Sequence, residues 1–167
     1  MITQMTMATV DQAEQLVKTV FPSRGPVERM FYWMWRRRNQ VLVRHAMRLA
    51  GVASIDDTWV DLDDSGRVRG TIGLYARAED ETEARWVSWF CVNPQARGQG
   101  VGKNLLDHVI EVVRERGYRF LRLYTGSDSN QARAQILYES RGLRDVRRTR
   151  LPFSDYDRIV RELGPLH

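Results

Sequence analysis

The stretch that decides the fold runs from Val92 to Lys103 and reads VNPQARGQGVGK. The residues from Arg85 to Val92 before it are mostly apolar, as expected of a central buried strand, and Pro94 ends that strand. After the stretch, apolar residues on one face predict an amphipathic helix to Arg116. A strand, a glycine-rich loop and a helix in this order leave backbone N–H groups unpaired at the helix N-terminus. The sequence therefore predicts a cradle for an anionic group such as a pyrophosphate.

The glycines of this loop have a physical reason. A Cβ atom would keep the backbone from approaching phosphate oxygens, and some positions of such a loop need a positive φ, which glycine adopts without cost. Arg97 adds a fixed positive charge beside the cradle.

Spacing excludes two common phosphate-binding loops. A P-loop requires glycine where Arg97 stands, five residues before Gly102, and Ser or Thr where Asn104 follows Lys103. A dinucleotide fingerprint starting at Gly98 would place its third glycine at Lys103, and one starting at Gly100 would place it at Leu105.

The pattern that does match is [QR]-x-x-G-x-[GA], formed by Arg97, Gly100 and Gly102. A second segment, Asn130 to Leu143, reads NQARAQILYESRGL. It is similar to N-x-x-A-x-x-L-Y-E-x-x-G-F, with one extra residue before Leu-Tyr-Glu and Leu143 in place of Phe. Together the two segments, spanning Arg85 to Leu143, resemble the GCN5-related N-acetyltransferase superfamily.

This resemblance implies a mixed α/β fold with a central sheet of six to seven strands, flanked by helices. Two parallel strands, around Cys91 and Leu123, are expected to splay apart and hold acetyl-CoA, with backbone groups of Cys91 and Val92 pairing with the pantetheine arm. The implied cofactor-binding residues are Cys91, Val92, Arg97, Gly98, Gln99, Gly100, Val101, Gly102, Lys103, Asn130 and Arg133.

Tyr138 is the leading candidate for a catalytic acid. The resemblance places it beside the sulfur, where a phenol can protonate the departing thiolate. The alternative is a tyrosine packed on a helix face with its hydroxyl satisfied. Asn130 has two interpretations as well, because it either contacts the pantetheine arm and its loop or caps the helix that follows.

The general base is an open question at this level. Many relatives carry a Glu in the strand that leads to the loop, whereas here the strand reads WVSWF from Trp86 to Phe90. Glu83 is the nearest substitute and would act through a water that Ser88 helps to position; the alternative is a solvated loop charge. Cys91 as a nucleophile is disfavoured, because nothing nearby in sequence lowers its pKa and a single cysteine in an apolar strand belongs to the core.

The predicted order of elements is a strand, a helix, a further helical region of one or two helices, three strands, a helix, a strand, a helix and two strands. The aromatic run from Phe31 to Trp35 falls in the helical region before the hairpin, where the family builds its acceptor pocket. Such stripes usually join the core, but consecutive aromatics cannot all face one side of a helix. Some of them are therefore expected to reach a cleft, the sheet or a partner chain.

Composition limits the classes of function. The 167 residues, 43% of them hydrophobic and 28% charged, predict one domain over residues 1–167. The N-terminus lacks signal-peptide features, and the single cysteine and three scattered histidines predict no disulfide framework and no metal site. We therefore expect a cytoplasmic protein without a membrane span.

These observations predict an acetyl-CoA-dependent N-acetyltransferase that acts on a primary amine by direct attack in a ternary complex. The acceptor can be a small molecule or a peptide, and aromatic surface is compatible with a homodimer. Two alternatives stay open. The missing strand carboxylate is compatible with a non-catalytic acyl-CoA-binding module, and the net charge of +5 with a polyanion-binding protein, although the dispersed basic residues favour a solvated surface.

Overall fold

The computed structural model describes residues 1–22, 25–128, 131–150 and 156–166, and of residues 25–29 and 31 it describes the backbone alone. Within these ranges the chain forms seven strands and five α-helices. Their bounds are β1 Ile2–Gln4, α1 Val10–Val20, α2 Gly25–Arg37, α3 Val41–Leu49, β2 Val52–Leu62, β3 Val68–Arg77, β4 Ala84–Val92, α4 Val101–Glu115, β5 Phe120–Gly126, α5 Ala132–Ser140, β6 Arg144–Arg150 and β7 Asp157–Leu163. This order confirms the predicted mixed α/β class.

All seven strands belong to one mixed sheet, in the order β1-β2-β3-β4-β5-β7-β6. Neighbouring strands are antiparallel except for β4 and β5, which are parallel. The parallel pair is connected by α4, as a parallel crossover requires. The predicted sheet of six to seven strands is thus confirmed.

One face of the sheet is covered by the first three helices. The apolar stripe of α1 consists of Val10, Ala13, Leu16 and Val17, whose spacing places them on one helix face. With Tyr32 and Trp35 of α2 and Val43 and Met47 of α3, they form a core against side chains of β2, β3 and β4. None of the helices in the described ranges combines the length and apolar character that a membrane-spanning helix requires.

The opposite face carries α4. Its buried stripe includes Leu105, Leu106 and Val109, which belong to the same core as Ile72 and Leu123 of the sheet. The closest approach is at Gly70 of β3, where an added Cβ would lie 2.8 Å from Leu105 Cδ1 and 2.9 Å from Val101 Cγ1. The glycine therefore lets α4 dock tightly at its N-terminal end.

Gly70→Ala is expected to destabilise the fold. The new methyl group meets Leu105, Val101 and, at 3.2 Å, the backbone oxygen of Cys91, so the two side chains of α4 or the strand must shift. Overpacking of this kind typically costs roughly 1–3 kcal/mol. Urea unfolding measures the free energy, and a variant as stable as the wild type would show that α4 does not constrain this position.

The parallel strands separate along their length. β4 and β5 pair only at Ala84–Phe120, Arg85–Leu121 and Trp86–Arg122. Beyond Trp86 the register of β4 against β3 shifts, and Trp89 has a positive φ of 46°, an unusual conformation for a bulky residue. This β-bulge redirects the second half of β4 and leaves its edge facing a gap, as predicted for the splayed pair.

Candidate functional site

A cleft of about 1040 Å³ occupies the gap between the splayed strands. It is lined by the second half of β4, the glycine-rich loop, the end of β5 and one face of α5. Residues of β2, β3 and the end of α1 line its far side. Elements that are far apart in sequence thus converge on one space, which is the usual setting of a ligand site.

The glycine-rich loop has the backbone geometry of an anion cradle. Gly98 and Gly100 both have a φ of 78°, and no atom lies closer than 4.0 Å to a Cβ built at either position. The first helical bond of α4 runs from Asn104 N to Gly100 O at 2.9 Å. The N–H groups of Val101, Gly102 and Lys103 come before that bond, so the helix itself provides no acceptor for them.

Positive charge also lines the cleft. Arg97, Lys103 and Arg133 line it, and Lys103 also lies 3.4 Å from Asp107. Free N–H groups at a helix N-terminus, together with cationic side chains, fit a pyrophosphate.

Most of the predicted cofactor-binding residues are brought together here. The described lining includes Cys91, Val92, Arg97, Gly98, Gly100, Val101, Gly102, Lys103 and Arg133. Gln99 belongs to the same loop but is exposed, does not line the cleft, and its side chain donates to Gln95 O at 3.3 Å. Asn130 lies outside the described residues, so its two interpretations stay predictions. Cys91 is 5% exposed and belongs to the core below the first three helices.

Tyr138 projects from α5 into the cleft. Its side chain is 6% exposed and its ring lies 6.1 Å from that of Phe90. Burial raises the pKa of the Tyr138 hydroxyl above its ordinary value, and the charge of Arg161 opposes this shift. Tyr138 therefore lines the cleft as a protonated phenol.

Ser88 lines the cleft from β4, next to the bulge. Its Oγ is buried and has no hydrogen-bond partner within the described part of the chain. Gly73 of β3 pairs with both Ser88 and Thr58, and the Oγ1 of Thr58 is likewise buried and unpartnered there. Two buried hydroxyl groups therefore flank a glycine beside the cleft, where unsatisfied polar atoms favour an ordered water.

Glu83, the predicted base, is not brought into the cleft. It precedes Ala84 at the closed end of the strand pair, and its carboxylate lies 3.7 Å from Arg122 Nη2. Asp80 and Glu162 also pair with Arg122, at 2.5 and 2.6 Å. Among the described residues that line the cleft there is neither a carboxylate nor an imidazole.

The aromatic run of α2 divides between core and surface. Tyr32 and Trp35 are buried, Trp33 is 47% exposed, and Met34 reaches the far side of the cleft. The side chain of Phe31 is outside the described residues. One member of the run thus contributes to the cleft, as the helical period requires, because consecutive residues cannot share one face.

Two contributors to the cleft escape sequence analysis. Gln131 accepts hydrogen bonds from Thr125 Oγ1 at 2.8 Å and Gly126 N at 3.0 Å, and so ties the start of α5 to the end of β5. Tyr124 of β5 lines the cleft and stacks on Trp86 at 4.8 Å. Gln131 stands at a variable position of the second motif, where its identity carries no signal, and the signal for Tyr124 was limited to its place in a strand.

The fold and the cleft define a class of ligand-binding α/β proteins, and comparison with known proteins gives the family. The chain belongs to the Acetyltransferase (GNAT) family, whose sequence model matches residues 12–143. It is 43% identical to the uncharacterized N-acetyltransferase YsnE of Bacillus subtilis (strain 168) over 58 residues, 35% of this chain and 36% of that protein. The match therefore spans about a third of that relative's length.

Two solved structures share the fold over nearly the whole chain. The ribosomal-protein-S18-alanine N-acetyltransferase from Escherichia coli has a TM-score of 0.70 at 19% identity, covering 100% of this chain and 94% of that one. An aminoglycoside 6'-N-acetyltransferase complexed with coenzyme A has a TM-score of 0.74 at 14% identity, covering 100% and 98%. At these identities the likeness concerns the fold alone.

Proposed function

We propose that this protein transfers the acetyl group of acetyl-CoA to a primary amine by direct attack in a ternary complex, and that residues 1–167 act as one N-acyltransferase domain. The observation that carries the proposal is a single cleft lined by the glycine-rich loop, by the edge of a splayed strand and by Tyr138. Membership of an acetyltransferase family supports the reaction class.

The cradle residues would hold the cofactor. The N–H groups of the loop and of the first turn of α4 bind the pyrophosphate, and Arg97, Lys103 and Arg133 balance its charge. The backbone of Cys91 and Val92 pairs with the pantetheine amides as an added strand would, since β4 has no strand partner on that side beyond Trp86. Asn130 is proposed to contact the same arm.

Acetyl-CoA supplies an activated thioester when bound, and the protein contributes mainly position. Holding the amine and the thioester in contact replaces a bimolecular collision with an intramolecular one. An N–H near Val92 stabilises the charge that develops on the carbonyl oxygen. Tyr138 is the proton donor, because its hydroxyl is protonated at neutral pH.

Removal of a proton from the incoming ammonium is assigned to a water held by Ser88. Ser88 lines the cleft and its buried Oγ has no partner among the described residues, whereas Glu83 lies at the closed end of the strand pair and contacts Arg122. Proton loss through water suits an acceptor that enters partly as the free amine. The pH dependence of the reaction distinguishes proton loss through this water from proton removal by Glu83.

A broad panel of amines, with detection of the free thiol of coenzyme A, tests the function. Turnover with at least one amine supports the enzyme. Binding of acetyl-CoA without turnover of any amine would favour the non-catalytic binding module, an alternative motivated by the absence of a carboxylate among the described cleft residues. A salt-sensitive shift of nucleic acid at physiological ionic strength would instead favour polyanion binding.

We expect kcat/KM to rise with pH until the pKa of the acceptor ammonium is reached, because the neutral amine alone attacks. For two acceptors with different ammonium pKa values, the pH values at which kcat/KM levels off should differ by the difference between those pKa values. No descending limb is expected below about pH 10, the ordinary pKa of tyrosine, since burial moves the pKa of Tyr138 upward.

Glu83→Gln should give the same profile as the wild type. If both acceptors instead broke at one common pH, and the break vanished in Glu83→Gln, Glu83 would be the base and the Ser88 assignment would be wrong.

A further inference from the structure

A second cavity, of about 370 Å³, lies beside the cleft and differs from it in chemistry. It is lined by side chains from β3, β5, β6 and β7 and from the turn after β3. These residues are Arg77, Glu79, Tyr124, Arg147, Thr149, Arg158 and Val160. We refer to this set as the arginine pocket.

The arginine pocket carries an excess of positive charge. Glu79 is the sole acid among its described lining residues, and its carboxylate lies 3.0 Å from Arg77 Nε. Arg147 and Arg158 have no carboxylate partner among the described residues. Their neighbours on β6, Arg148 and Arg150, instead pair with Asp157. The two guanidinium groups are therefore available to a ligand.

The aromatic wall of the arginine pocket is preorganised. Arg77 donates a hydrogen bond to the Tyr124 hydroxyl, and its guanidinium lies 5.2 Å from the centre of the Trp86 ring. The Arg158 guanidinium lies over the Tyr124 ring, 5.3 Å from its centre. Stacked guanidinium groups lose little freedom on binding an anion, which favours tight recognition.

The arginine pocket adjoins the cleft. Tyr124 and Arg158 line both cavities, so a ligand that fills one of them contacts residues of the other. β5, which borders the splayed gap, pairs with β7 at this point. A molecule whose amine reaches the cleft near Tyr124 can thus place a second group among the arginines.

We propose that the arginine pocket binds an anionic group of the acceptor, so that the substrate is a primary amine that also carries a carboxylate or a phosphate. This inference rests on the proposed function. Arg147 and Arg158 form charge-assisted hydrogen bonds to the anion, in the forked geometry that suits both groups. Polycationic amines are disfavoured as acceptors, because the three guanidinium groups of the arginine pocket repel additional positive charge.

Matched pairs of acceptors test the charge preference. Each free L-amino acid is compared with its carboxamide, and O-phosphoethanolamine with ethanolamine, by the rate of thiol release. The anionic member of at least one pair should have a kcat/KM at least about tenfold higher at equal free-amine concentration. The amino-acid and phosphate arms identify which anion is recognised. Equal rates within every pair, with turnover present, would overturn the inference and leave the proposed function intact.

Substitutions in the arginine pocket test which residues recognise the anionic group of the acceptor. Arg147→Gln and Arg158→Gln should each raise KM for the anionic acceptor about tenfold and leave KM for its neutral partner unchanged. Arg144→Gln is the matched control, since it removes the same charge from the same strand without lining either cavity. A loss that is equal for anionic and neutral acceptors, or equal in Arg144→Gln, would contradict the assignment.

A binding measurement separates the two proposals. Inorganic phosphate and acetate are titrated into the wild type and into Arg147→Gln by calorimetry. If no amine is acetylated, but anion binding is present in the wild type and lost in Arg147→Gln, the proposed function fails and the pocket is an anion site. If the protein neither binds these anions nor prefers anionic amines, the inference is wrong.

Discussion

Tyr138→Phe should lower kcat by about a hundredfold or somewhat less, at the lower end of the range for general acid catalysis. The variant removes one hydroxyl from a ring that is 6% exposed, so packing against Phe90 is kept. The thiolate of coenzyme A is already a fair leaving group, which places the effect at the lower end. Affinity for acetyl-CoA should stay within a few-fold, because the proton is needed in the transition state.

The measurement requires that chemistry limits the rate, which single-turnover experiments establish. Tyr118→Phe is the control variant, because it removes a hydroxyl that accepts from Arg85 and lies outside the cleft. Full kcat in Tyr138→Phe, with chemistry limiting and a good acceptor, would show that Tyr138 packs and does not donate the proton.

Gly100→Val should weaken binding of acetyl-CoA at least about tenfold while the fold is retained. A φ of 78° is costly for a β-branched residue, so the loop must rearrange or remain strained at roughly 1–3 kcal/mol. Either outcome removes free N–H groups from the place where the pyrophosphate binds. Calorimetric titration with acetyl-CoA gives the affinity directly.

The control for backbone strain is Gly66→Val. Gly66 also has a φ of 78° and no atom within 4 Å of an added Cβ, but it lies in the turn between β2 and β3. It should lose comparable stability and keep its affinity for acetyl-CoA. Unchanged affinity in folded Gly100→Val would exclude this loop as the pyrophosphate site.

Much of the fold could be predicted because its signals are local. The apolar run before Asn93 and the apolar stripe after Lys103 each follow from the side chains of consecutive residues. The resemblance to the superfamily also predicted the parallel strand pair. Family membership and the mixed sheet of seven strands confirm the resemblance. No helix-breaking residue marks the separation of α2 from α3 near residues 38–40, so the sequence was compatible with either one helix or two.

The candidate site was predictable where chemistry is carried by the backbone or by a motif. Gly98 and Gly100 signal a positive φ by being glycine, and the structure has it at both. Tyr138 was located by the Leu-Tyr-Glu motif and lies in the cleft. Glu83 was chosen by its nearness in sequence to β4. The strand pairing places it outside the cleft, because β4 and β5 are paired next to Glu83 and separate only beyond Trp86.

The sequence by itself determined most of the elements, the glycine-rich loop and the family, because these depend on propensities, spacing and backbone conformation within short segments. Only the tertiary structure decided which side chains share a space. Arg77, Arg147 and Arg158 look like dispersed surface charges along the chain, yet the order β3-β4-β5-β7-β6 brings them onto one face of the sheet beside the cleft. Strand order depends on contacts between distant residues, and no local pattern of apolar and polar residues encodes it.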